Sequence, residues 1–296
     1  MSINNVIECS NLTKDYGSGH GVFNINLTIP EGEVFGLIGA NGAGKSTFIK
    51  LLMDLINPTS GKARIFNLDA QKNSIELKSR IGYLPGELMQ FPGVTAGYIL
   101  NLLMNIRKID AKNYIDELAD RMQLDLTRKF QDLSHGNKQK VGLIQAFMHK
   151  PRLLILDEPT LGLDPIIQRE LKKLIQESTS NGATIILSSH ILTDVESVCS
   201  RIGLINDGRL VKDGTMAELK KSRSHIVKAH MIGAFSSKEE LEDAGAHNIK
   251  IDGQEISFEV QGEIDQAIKV LAKYEVIELD SRELSLEEVF FTEVEK

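Results

Sequence analysis

Tryptophan is absent from the 296 residues, and cysteine occurs only twice, at Cys9 and Cys199. Two thiols cannot build a disulfide framework or a thiolate metal site, and they fit a reducing cytoplasm. Long apolar runs are missing too: stretches such as Leu153–Leu156 and Val141–Met148 fall well short of the ~18–20 residues that span a bilayer. The start, MSINNVIECS, has no basic region followed by an apolar one, so no secretory signal is expected. The chain is therefore expected to be soluble, and any membrane spanning falls to other polypeptides. Basic charge is scarce towards the end. Residues 222–296 hold 8 Lys and Arg against 17 Asp and Glu, whereas the whole chain carries −7. An acidic segment of this kind repels phosphate backbones and anionic lipid, so no direct nucleic-acid contact is expected there.

What remains is ordinary globular composition, 42% hydrophobic and 25% charged, long enough for about two domains. Short apolar runs alternate with helical patterns: Val34–Ile38, a helix from near Gly44, Leu153–Asp157, a helix from about Pro165, and Thr184–Ser188. Such alternation predicts an α/β fold with a parallel core sheet. Val6–Cys9 and Val22–Ile29 predict an N-terminal antiparallel layer ahead of it. Helical spacing over Thr95–Lys108 and Asp110–Leu124 marks a helical insert at about 93–150. Residues 1–221 thus read as one domain and 222–296 as an accessory module. Within the module the order is βαββαβ over about 222–282, a ferredoxin-like α+β arrangement, with a Ser237-x-x-Glu240 capping box and a closing helix Leu286–Val294. The alternative is a loose set of hairpins packed on the main domain.

Gly39-Ala40-Asn41-Gly42-Ala43-Gly44-Lys45-Ser46 satisfies G-x-x-x-x-G-K-[ST] between a predicted strand and a predicted helix, the context a phosphate loop requires. Glycines let the backbone wrap around oxyanions, and the helix start adds partial positive charge. Lys45 would reach the β- and γ-phosphates of ATP, Ser46 would ligate Mg²⁺, and Thr47 opens the helical run. Asp157 and Glu158 end the apolar run Leu153–Leu156, where ligands bind in parallel sheets. Asp157 suits Mg²⁺ and Glu158 could polarise a water for attack on the γ-phosphorus. Alone, two carboxylates at a strand end would be solvated surface; beside a phosphate loop they are candidates for an ATPase centre.

Two further segments stand in order with these. Leu133-Ser134-His135-Gly136-Asn137-Lys138-Gln139-Lys140 resembles the LSGGQ signature of ABC transporter ATP-binding subunits, and Ser188-Ser189-His190 follows it. The resemblance covers roughly residues 3–220. It implies a P-loop ATPase in which Tyr16 stacks on adenine, Asp164 lies in a loop at a dimer interface, and His190 contacts the γ-phosphate. It also implies that Ser134 and Gly136 meet the γ-phosphate held by a second subunit, so that a homodimer or heterodimer is the working unit. A membrane-spanning permease would handle a small-molecule substrate, and this subunit would sit peripherally on the inner face of the cell membrane. By residue chemistry alone, His190 could instead be a cap or satisfied histidine, and Tyr16 an exposed loop tyrosine.

The departures are informative. His135 and Asn137 replace the signature's usual glycine and glutamine, and Gly86 in Leu84-Pro85-Gly86-Glu87 stands where the family has a glutamine, with Glu87 one residue further on. That variant and the ending Leu286-Glu287-Glu288-Val289-Phe290 resemble exporter-type subunits with a C-terminal extension, a class that includes antibiotic-resistance pumps. Leu88, Met89, Phe91 and Pro92 form an apolar cluster that reads equally as local core or as a permease dock. Competing functions are a soluble ATPase of the same family acting on nucleic acid or ribosomes, and a module that holds ATP without hydrolysing it. The absence of a long coiled coil or second cassette opposes the first, and Glu158 opposes the second.

Overall fold

The computed structural model describes residues 4–221 and 224–283. The chain divides into two compact units, Met1–Gly214 and Thr215–Lys296, a division slightly ahead of the 221/222 boundary read from the sequence.

The first unit opens with β1 (Asn5–Gly17) and β2 (His20–Pro30). In β2, Val22, Ile25, Leu27 and Ile29 are buried while Asn24, Asn26 and Thr28 are exposed, the near-alternation that a sheet with one wet face imposes. β1 runs far beyond the expected Val6–Cys9. Irregular register between Cys9 and Leu12, and again before Lys14, takes up extra residues, so pairing with β2 continues to Gly17 and His20. Next come β3 (Val34–Ile38), α1 (Lys45–Leu52), β4 (Ser60–Ile65), β5 (Leu68–Asp69), α2 (Ser74–Arg80) and β6 (Ile81–Leu84). β4 and β5 extend the antiparallel layer to the order β2-β1-β4-β5.

The insert follows as α3 (Ala96–Arg107), α4 (Lys112–Arg121) and α5 (His135–Phe147), with no strand among them. Thr95 caps α3 by accepting the Tyr98 N–H at 3.2 Å, and Arg121 ties α4 to α6 (Pro165–Ser180) through Glu170 and Glu177 at 2.6 and 2.8 Å. The core sheet is completed by β7 (Leu153–Asp157), which precedes α6, then β8 (Thr184–Ser189), α7 (Leu192–Glu196), β9 (Arg201–Asn206) and β10 (Arg209–Thr215). Its strand order is β10-β9-β3-β8-β7-β6, and β3, β6, β7, β8 and β9 pair in parallel. β3 and β7 are buried at every residue, as strands covered on both faces must be.

The second unit begins with α8 (Met216–Lys221), then β11 (Ser224–Met231), α9 (Lys238–Asp243), β12 (Ala246–Asp252), β13 (Glu255–Gln261), α10 (Asp265–Leu271) and β14 (Val276–Glu283). From β11 onward the order is βαββαβ, in one antiparallel sheet β12-β13-β11-β14. Val227, Phe258, Leu241 and Leu271 meet in its own core. Ser237 precedes α9 but caps no backbone N–H; its hydroxyl accepts from the Tyr274 hydroxyl at 2.7 Å instead, so the expected capping box does not form. The expected helix Leu286–Val294 lies outside the described residues.

Two outcomes test this packing. A Cβ on Gly82 of β6 would stand 2.1 Å from Ala146 O and 2.7 Å from Pro151 Cγ, so Gly82→Ala is expected to lower stability by about 1–3 kcal/mol, read as a lower denaturation midpoint. His149, just past α5, has Nε2 at 3.2 Å from Ile81 O while its Nδ1 is buried without a partner; burial, then the Arg107 charge, lowers its pKa to about 4. The folded state keeps this ring neutral where the unfolded chain would protonate it. His149 therefore makes stability fall as pH drops from about 6.5 to about 4, and His149→Gln is expected to flatten the unfolding midpoint over that window.

Candidate nucleotide site

β3 ends at Ile38 and α1 begins at Lys45, so the residues between them form a loop at the carboxyl edge of the parallel sheet. Gly44 precedes α1 at φ +111, a conformation that residues with a side chain rarely adopt, which is why glycine stands there. Ala40, Asn41, Gly42, Gly44, Lys45, Ser46, Thr47 and Glu158 line one cavity of about 200 Å³. α1 carries no acidic residue in its first turn, so its positive end faces the cavity uncompensated by its own side chains.

Lys45 is only 5% exposed. Its ammonium donates to Gly39 O at 2.6 Å and Ala40 O at 3.2 Å, and stands 3.4 Å from Glu158 Oε1. The other oxygen of Glu158 is 2.8 Å from His190 Nδ1, a ring placed at the end of β8. Glu158 thus spans the lysine of the loop and the histidine of the neighbouring strand. Its backbone has φ +50, a left-handed conformation costing of order 1–3 kcal/mol for a residue with a Cβ, and one that clusters at functional sites.

Asp157 is 2% exposed and lies in register with Ser188 across β7 and β8. The Ser188 hydroxyl donates to Asp157 Oδ1 at 2.5 Å and accepts the Glu158 N–H at 3.0 Å. Burial and the Asp157 charge push the Tyr83 phenol up to about 12, so Tyr83 stays protonated beside that carboxylate. The other Asp157 oxygen faces Gly86: a Cβ there would stand 3.0 Å from Oδ2. The backbone of residue 86 therefore packs directly on Asp157, while Glu87 is exposed.

Ser134 and Gly136 are absent from the phosphate-loop cavity. Ser134 caps α5 by accepting the Asn137 N–H at 3.3 Å and is otherwise exposed. A Cβ on Gly136 would lie 2.3 Å from Gly162 O, so the start of α5 is packed on the segment between β7 and α6 of its own chain. Asp164 is occupied as the cap of α6, accepting the Ile166 and Ile167 N–H groups at 3.0 Å. Tyr16 is 56% exposed on β1, its ring 5.2 Å from the Lys14 ammonium, and lies outside the cavity.

A second cleft of about 710 Å³ runs from Ser46, Asp157 and Glu158 to Leu88, Phe91, Leu103 and Phe130. Phe91 meets Phe130 edge-on at 5.4 Å, whereas Met89 is 74% exposed, so the apolar cluster seen in the sequence is half-buried at Leu88 and Phe91 and exposed at Met89 and Pro92.

The family model described as ABC transporter matches residues 22–161. Bacitracin transport ATP-binding protein BcrA of Bacillus licheniformis is 39% identical over 223 residues, covering 73% of this chain and 72% of that protein. The chain belongs to the ABC transporter family. Linearmycin resistance ATP-binding protein LnrL of Bacillus subtilis is 33% identical over 219 residues, 72% of this chain and 70% of its own length. Among solved structures, an ATP binding subunit of an ABC transporter superposes with TM-score 0.68 at 29% identity, covering 73% of this chain and 92% of that one. A dimeric bacterial ABC transporter cassette does so with TM-score 0.63 at 26% identity, covering 71% and 98%. As an ABC cassette this protein binds ATP and is an ATPase that powers transport.

Two residues of the cassette's site escaped the sequence reading of roles, Ser188 and Gln139. Ser188 sits in a strand that reads as plain apolar core, and its importance comes from register. Gln139, 2% exposed, donates to Glu158 O at 3.1 Å; the signal was a polar side chain in a helix otherwise buried from Lys140 to Ile144.

Proposed function

We propose that this cassette is the ATP-hydrolysing subunit of an exporter and that two subunits close on two ATP molecules. The observation that carries this reading is the Glu158 carboxylate held between Lys45 and His190 beside the phosphate loop. Backbone N–H groups of Gly39, Ala40, Asn41, Gly42, Ala43, Gly44 and Thr47, with the start of α1, would cradle the phosphates. Lys45 would pair with the β- and γ-phosphate oxygens. Glu158 would accept the proton of the attacking water, and His190, hydrogen-bonded to that carboxylate, would orient it and touch the γ-phosphate. Tyr16 would stack on the adenine.

Hard oxygen donors suit Mg²⁺, and the pair here qualifies: the Ser46 hydroxyl and the buried Asp157 carboxylate, whose Oδ1 is already held in place by Ser188. Mg²⁺ so held would neutralise charge developing on the transferred phosphoryl group.

Because Ser134 and Gly136 lie outside their own chain's phosphate cavity, a second subunit would present these residues to the nucleotide, with Asp164 near the joint. A second copy or a related chain would serve. Among the described residues no helix is long and apolar enough to cross a membrane, so a separate permease would conduct the small-molecule substrate, docking near Leu88–Pro92 on the cytoplasmic face of the cell membrane. Relatives named for bacitracin transport and linearmycin resistance support an antibiotic-type cargo.

In steady-state ATPase assays, Glu158→Gln is expected to lower kcat by about 10²–10⁴-fold while ATP still binds. Equal rates for mutant and wild type would remove Glu158 as the base. Specific activity should also rise with subunit concentration until dimers saturate; full activity at any dilution would overturn the shared site.

A further inference from the structure

Glu158 keeps its left-handed backbone with both of its peptide groups hydrogen-bonded: its carbonyl accepts the Leu161 N–H at 3.2 Å, and side chains from two other elements add to that. Its N–H donates to Ser188 Oγ of β8, and its C=O accepts from Gln139 Nε2 of α5 at 3.1 Å. Gln139 is 2% exposed, and a primary amide in such a place must find a partner or lose the hydrogen bonds that water supplied. The carbonyl of Glu158 is that partner. Relaxation of the 158 peptide toward the ordinary α or β regions would turn the side chain away from both Lys45, at 3.4 Å, and His190, at 2.8 Å.

We infer that Gln139 is a positioning residue for the ATPase reaction, holding the Glu158 peptide in the conformation that aims its carboxylate at the attacking water. The inference rests on the proposed role of Glu158 as base. It adds a connection that the first-contact residues do not provide. Gln139 and Ser134 belong to one helix, and Ser134 is the residue offered to the partner's nucleotide. A shift of α5 on meeting that nucleotide therefore moves the amide that holds Glu158, so occupancy of one site is felt at the catalytic carboxylate of the other. The packing of Gly136 against Gly162, between β7 and α6, gives the same helix a second grip on the segment that follows Glu158.

The test measures kcat, KM for ATP and single-turnover rate in full-length wild type, Gln139→Met, Glu158→Gln and the double variant. Methionine keeps the length and removes the donor. Gln139→Met is expected to lower kcat about tenfold with KM for ATP unchanged, and to have no further effect on the single-turnover rate in the Glu158→Gln background. Gln139→Leu, similar in volume and without any donor, is expected to lose at least as much and serves if the methionine variant fails to fold. A kcat equal to wild type in Gln139→Met or Gln139→Leu, while Glu158→Gln is impaired, overturns the inference and leaves the base intact. The same fractional loss with and without Glu158 overturns it as well, since Gln139 would then be acting on the fold in general. Full activity of Glu158→Gln instead removes the base itself.

Discussion

A single hydroxyl, Ser188 Oγ, stands where the apolar sheet meets the chemistry. It donates to Asp157 Oδ1 and accepts the N–H of Glu158, so two adjacent carboxylate residues of β7 are oriented by one atom of β8. The parallel register between those strands puts Ser188 beside Asp157, and a shift of one residue would turn the hydroxyl to the opposite face. Asp157, Glu158 and His190 therefore have their relative places set by strand pairing, with little left to loop flexibility.

Charge at this edge is arranged with equal economy. Lys45 is buried deeply enough that its ammonium needs partners, and it finds two loop carbonyls and Glu158. A buried ion pair of this kind contributes little net stability, because desolvation offsets attraction. What it provides is a cation and a carboxylate a few ångströms apart at a helix start, which suits a triphosphate that must be gripped and attacked in one place. The left-handed backbone of Glu158 belongs to the same pattern: local cost is accepted where geometry is needed, and the surrounding buried strands supply the stability.

Much of this was legible beforehand, for reasons that particular residues show. The phosphate loop is contiguous, so its spacing alone places Lys45 and Ser46 at the start of α1. β7 and α5 carried strong local patterns, and α6 starts at Pro165, where its helical pattern was read, proline being well tolerated in a first turn. Weaker signals failed differently. β4 is mostly exposed and β5 is two half-buried residues at the sheet edge, so neither shows a clear alternation, and β1 extended only because irregular register let it. Ser237 looked like a cap, yet a tyrosine 37 residues away claimed its hydroxyl. Gly86 could be read as a missing glutamine but not as backbone packed on Asp157.

From the sequence alone came the nucleotide chemistry and the order of its parts, because the phosphate loop, the carboxylate pair and the signature helix are each written in consecutive residues whose local geometry follows from their types. Only the tertiary structure decided that Ser188 and Gln139 hydrogen-bond the Glu158 backbone, that His190 meets its carboxylate, and that Ser134 lies outside its own chain's phosphate cavity. Those relations join residues distant along the chain through strand register and helix packing, and neither is encoded in any short window of sequence.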